Sequence, residues 1–248
     1  MNTKRQTTVT KGNNKERTMK PTASKLIRWA GLAAMGAGIL FVVTQPIHPP
    51  EILSSVTTAR WAIVHYLSVT MCLLGLFGMV GLYARQVEET GWLGLAGYLL
   101  LSLFYALTLV FVFAEAFILP LVATNAPKFI AGWLGIVGGP AGGMNLAAIA
   151  MIYKLTGFVG YVLGGLLFGI ATFRAGILSR RAAGLLGIGA VLAPVFGLLL
   201  PEHQRIAAVP MGLALAWLGY ALWSERRAPA ADPVRVTGSP LLGPTAAV

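Results

Sequence analysis

Six long apolar stretches constrain this chain more than any other feature of its sequence. They are Leu26–Gln45, Trp61–Tyr83, Trp92–Leu119, Leu146–Phe173, Ala182–Leu200 and Ile206–Trp223. A helix needs about 20 predominantly apolar residues to cross the hydrocarbon core of a bilayer. The fold class read from this pattern is all-α: a polytopic membrane helical bundle of about six transmembrane helices. The fifth stretch is short and lies close to the sixth. We read the two as a tight antiparallel hairpin turning at Pro201-Glu202-His203-Gln204, with a re-entrant pair as the alternative. Composition agrees, since 56% of the 248 residues are hydrophobic and 11% charged, whereas soluble domains carry about 25% charged residues. The expected partner is therefore the lipid bilayer.

The formal charge of +11 would ordinarily suggest nucleic acid. Here the basic residues cluster outside the apolar stretches, where lysine and arginine set membrane orientation, so nucleic acid is not expected as a partner. Seven precede the first span, and Arg28 in its first turn, Arg85, Arg174, Arg180, Arg181, Arg226, Arg227 and Arg235 fall on the same side of a six-span topology. The other side holds Arg60, Lys128 and Arg205, with Lys154 inside a span. The positive-inside rule then puts both termini in the cytoplasm, in a multi-pass protein of the cytoplasmic membrane. No small-residue cleavage site follows the first span, which reads as a retained anchor. Residues 1–24 read as a disordered basic leader, 25–225 as the membrane domain and 226–248 as a flexible tail. Met19, directly before Lys20-Pro21-Thr22, is an alternative start.

The odd-numbered spans share glycine spacing: Gly31, Gly36 and Gly38, then Gly94 and Gly97, then Gly184, Gly187 and Gly189. Each reaches the outer face at a proline: Pro46, Pro120 and Pro201. The even-numbered spans return to a glycine, an aromatic and an arginine, as in Gly81, Tyr83 and Arg85. Three tandem helical hairpins packed through small residues fit this pattern. General membrane habits of glycine, aromatics and arginine fit it as well. Small-residue faces could also dock a second copy of the chain or a membrane partner.

The chemistry-bearing residues gather at one face. His48 follows the first span, His203 lies in the last outer turn, and His65 is about one turn inside the second span. Glu115 and Lys154 lie within the third and fourth spans at similar depth. A charge near the centre of a membrane helix costs about 2.5–3.5 kcal/mol, so such groups face the bundle interior and pair. A Glu115–Lys154 ion pair is the natural expectation. The plainer readings are that the pair only fixes register, or that Lys154 snorkels to the interface. His65 could relay protons, bind a metal or hold haem, or simply pack against Trp61 four residues earlier. A metal site would draw on His48, His65, His203 and Glu115 if four spans meet, but no short ligand spacing supports it. Cys72 is the only cysteine, which excludes an internal disulfide and a cysteine-rich metal site.

The glycine-rich segment 135–143 lacks the Gly-Lys-Ser/Thr ending of a phosphate loop and reads as a flexible connector. Before it, an amphipathic helix is expected around Pro127–Leu134, with Trp133 anchored at the interface. No nucleophile or zinc-protease signature is present, and Asp232 is the only aspartate, so common hydrolases are not indicated. Several features together resemble small six-span bacterial membrane proteins without an assigned activity. They are the Pro46-Ile47-His48-Pro49 exit, Trp61 with His65, Gly81-Leu82-Tyr83-Ala84-Arg85, Phe173-Arg174-Ala175-Gly176 and Trp217 to Trp223. The resemblance covers residues 25–225 and imports no mechanism. The first functional expectation is non-enzymatic handling of a small solute, proton or ion at a pocket formed by His65, Glu115 and Lys154, with His48 and His203 at its mouth. No cofactor is implied by it. The alternatives are a metal- or haem-dependent membrane oxidoreductase and an accessory subunit of a membrane complex.

Overall fold

The computed structural model describes residues 22–225; the expected leader up to residue 21 and the tail from 226 lie outside the described residues. Seven helices carry the fold: α1 (Ala23–Ile47), α2 (Ala59–Ala84), α3 (Val87–Val122), α4 (Pro127–Ile136), α5 (Ala147–Ala175), α6 (Arg180–Leu199) and α7 (Pro201–Ser224). All but α4 are long and apolar enough to cross a membrane. The chain is thus a multi-pass, all-α membrane protein whose exposed aliphatic and aromatic side chains meet lipid. The last two spans pack against each other, and a single 3-10 turn at Pro201–His203 opens α7.

Local chemistry fixes the helix ends. The hydroxyls of Thr22, Thr58 and Ser179 accept from the N–H groups of Lys25, Trp61 and Ala182, which satisfies donors left over at a helix start. The Thr22 cap makes residues 23 and 24 helical, although the sequence assigns them to the leader. Gly91 breaks the first turn of α3 at φ +53°, a conformation that glycine adopts without a Cβ clash. The long regular run therefore begins at Trp92, where the apolar stretch begins. Gly176, left-handed at φ +66°, ends α5.

The six spans form a closed ring in chain order. Each packs chiefly on its neighbours in sequence, and α7 packs on α1. Glycine makes that last seam close. A Cβ on Gly38 would stand 2.4 Å from the Ala216 nitrogen, and one on Gly219 would stand 2.3 Å from the Met35 nitrogen. Backbones pressed together in this way are how membrane helices associate without a hydrophobic drive. Tyr105, Tyr161, Phe168, Met211 and Leu215 help to fill the main core. A second, smaller core of Trp61, Phe111, Leu119, Ile130 and Trp133 lies under α4.

Two spans depart from α geometry. Helix α3 widens into a π-type turn over Ala114–Ile118, and α5 does so over Thr156–Leu163. Such turns add a residue to the helical repeat and recur at functional sites.

Candidate functional site

Glu115 sits in the π-type turn of α3, where sequence and geometry combine to expose its backbone. In that register the Leu119 N–H bonds to the Ala114 carbonyl. The next bond of the series would run from residue 120 to the Glu115 carbonyl, but Pro120 has no N–H. The orphaned carbonyl accepts instead from the Trp61 indole N–H of α2 at 2.8 Å. One proline thus creates the acceptor that ties α2 to α3 beside the carboxylate.

Glu115 is 6% exposed and His65 1%. Glu115 Oε1 accepts from the Trp133 indole of α4 at 3.1 Å, and Oε2 faces His65 Nε2 at 3.2 Å. His65 Nδ1 lies 2.8 Å from the Trp61 carbonyl oxygen. A carbonyl only accepts, so Nδ1 carries a hydrogen. The Nε2–Oε2 contact then holds a proton too, because two lone pairs facing each other in a dry site would repel. Whether that proton rests on nitrogen or oxygen, the pair stays neutral overall. The His65 ring also packs on Trp61, centroids 4.2 Å apart and planes 30° from parallel.

A second layer of groups separates this pair from solvent. The His48 ring stands edge-on to His65 at 5.3 Å, with Nδ1 donating to the Pro49 carbonyl at 2.8 Å. Burial, chiefly, and the nearby Arg205 charge lower the His48 pKa to about 3, so the ring is neutral at physiological pH. Glu51 receives Arg205 Nη2 at 2.8 Å on Oε1, while its Oε2 is buried and has no hydrogen-bond partner among the described residues. Burial, then the Glu115 carboxylate, raise the Glu51 pKa to about 7 against the opposing pull of Arg205. His48, Glu51, Arg60, Arg205 and the loop at Gly138–Pro140 line an open cleft of about 560 Å³.

The structure brings together His48, His65 and Glu115 from the sequence-derived set. Lys154 and His203 stand apart. Lys154 lies on an exposed stretch of α5 and makes no ion pair among the described residues, so the expected Glu115–Lys154 pair is replaced by Glu115–His65. Residues 151–155 are all exposed just before the π-type turn, and at this end of its span the long lysine stem can reach the headgroup region. The His203 side chain is 54% exposed and its ring pairs with Glu202 at 3.3 Å; Arg205, two residues on, reaches the cluster instead. A four-ligand metal site is therefore not assembled, and no group of three or more His, Cys, Asp or Glu side chains disposed to hold a metal occurs among the described residues. Trp133 is also corrected. It is buried and bonded to Glu115 rather than anchored at an interface, because α4 folds over the small core.

Glu51, Arg205 and the two indole donors are the site residues that the sequence reading missed. Their signal was available in part. Glu51 and Arg205 are charges immediately beside span ends on the face that is poor in charge. No protein family, curated protein or solved structure matches the chain, so the function rests on the chemistry of this cluster.

Proposed function

We propose that the chain handles a small solute together with protons, with Glu115–His65 as the proton-holding element. The supporting observation is the buried contact between Nε2 and Oε2, in which His65 Nδ1 and Glu115 Oε1 each already have a partner and the proton between the two side chains is left to move. His48 and the cleft give this pair a short route to one aqueous face. In this reading that face is the outer one, both termini are cytoplasmic, and the protein resides in a bacterial cytoplasmic membrane, in keeping with the small six-span proteins that its sequence resembles.

The test uses proteoliposomes loaded with a pH-sensitive dye and given a pH gradient. Wild-type protein is expected to dissipate the gradient faster than protein-free vesicles, and Glu115→Gln to return the rate to the protein-free value. A folded Glu115→Gln variant with wild-type flux would refute the proposal, and so would wild-type flux no faster than that of empty vesicles.

A further inference from the structure

The cleft above the buried pair has an unbalanced charge arrangement. Arg60 spends its Nε hydrogen on the Ile47 carbonyl at 2.8 Å, and no carboxylate neutralises it among the described residues. Arg205 touches Glu51 through Nη2 alone, although a guanidinium offers five donors and prefers a two-pronged grip on an oxyanion. Glu51 is the poorly solvated member. Its side chain is 10% exposed, one oxygen has no partner, and the nearby His48 Nδ1 hydrogen is already given to Pro49.

We propose that this cleft binds a small oxyanion between Arg60 and Arg205, and that the anion takes the place of Glu51 on Arg205 while Glu51 accepts one proton. The exchange balances charge. One negative group leaves the arginine as a neutral carboxylic acid, one negative group arrives, and one proton is taken from solvent. Without the proton, the displaced carboxylate would be left charged and buried, a state that is costly in a site so poor in water. Glu51 is suited to the part because it titrates at about 7.

The groups facing Glu51 do not obscure this linkage. Arg205 on α7 favours its charged form, and Arg60 on α2 lines the same cleft. His48 beyond α1 is neutral at this pH. Glu115 on α3 opposes the charged form of Glu51, and His65 on α2 favours it. Tyr153 on α5 also feels Glu51 and is not an acid at neutral pH. A free carboxylate or sulfate and the phosphate of a lipid headgroup present the same chemistry to the two arginines.

The experiment records proton uptake by the full chain in weakly buffered nanodiscs with a pH dye, on adding pH-matched sodium acetate or sodium sulfate, with sodium chloride as control. In zwitterionic lipid, saturable uptake approaching one proton per anion is expected at pH 8, shrinking towards pH 6. The apparent affinity should fall by up to about tenfold per pH unit above neutrality. Glu51→Gln should bind the anion without proton uptake and with no pH dependence. Arg60→Gln and Arg205→Gln should each weaken binding about tenfold or more. If the headgroup is the anion, discs of anionic phosphatidylglycerol abolish the acetate response, and Arg60→Gln lowers the amount of that lipid retained on purification. Glu115→Gln should keep the response with its pH midpoint moved down, so loss of proton flux and loss of anion binding are separable. Absence of saturable uptake in wild type together with no lipid retention, or uptake unchanged in Glu51→Gln, would overturn the proposal.

Discussion

The two ends of the bundle solve the same problem with different chemistry. At the arginine-rich end, charge stays near the surface. Arg85 grips the Glu225 carboxylate through two nitrogens, and both side chains remain partly exposed. Deeper at that end the polar contacts are neutral: the buried Gln86 donates to Thr172 at 2.9 Å, and Thr90 bonds to the Gln86 carbonyl. At the histidine-bearing end the order is reversed. Two ionisable groups there, His65 and Glu115, are buried, and the backbone around Glu115 departs from α geometry. A neutral amide plug seals a membrane protein at little electrostatic cost. A buried carboxylate and imidazole are retained where a proton has to be held, and this asymmetry is why we place the chemistry at one end only.

The sharpest test of that contrast removes one partner from each end. Glu115→Ala leaves His65 buried and alone, and should cost about 3–5 kcal/mol of stability by thermal unfolding in detergent. The double variant His65→Leu/Glu115→Leu should recover most of it, because an apolar pair leaves no unpaired charge. Gln86→Met at the opposite end should cost only about 1 kcal/mol, one neutral hydrogen bond. Equal losses at the two ends would erase the distinction. An effect between those two is expected from Trp133→Phe, which keeps the packing of α4 but removes a donor to a carboxylate, worth about 1.5–3 kcal/mol; it should also make the α4 region easier to cleave by protease. Lys154→Met should be smallest, within about 0.5 kcal/mol and without effect on flux. A large loss there would mean that Lys154 belongs to the site after all.

The six spans were legible from the apolar stretches because span length and hydropathy are local properties, whereas their closure into one ring was not. His65 and Glu115 were legible for a related reason: an ionisable side chain within such a stretch has to find a partner. Which partner was not legible. Depth can be counted along a helix, but direction around it depends on every residue keeping α geometry. Each residue turns the helix by about 100°, so one π-type turn redirects what lies beyond it. Glu115 lies in such a turn and Lys154 lies just before another, so equal depth did not mean facing sides. Pro120 was read as the marker of a span end; its larger effect, leaving the Glu115 carbonyl for Trp61, depends on the π register and on a side chain 59 positions from it in sequence. Glu51 and Arg205 stand 154 positions apart, and only closure of the ring unites them.

That closure bears on how the protein is made. The seam between α1 and α7 joins the earliest made of the six spans with the latest made, so the glycine face of α1 stays uncovered until α7 has been made. Glu51 follows α1, and Arg205 lies in the first turns of α7. The anion cleft therefore gains its second arginine only when the final helix docks. A chain that stops short of α7 carries an unfinished site, and the contact that finishes the site also locks α1 to α7.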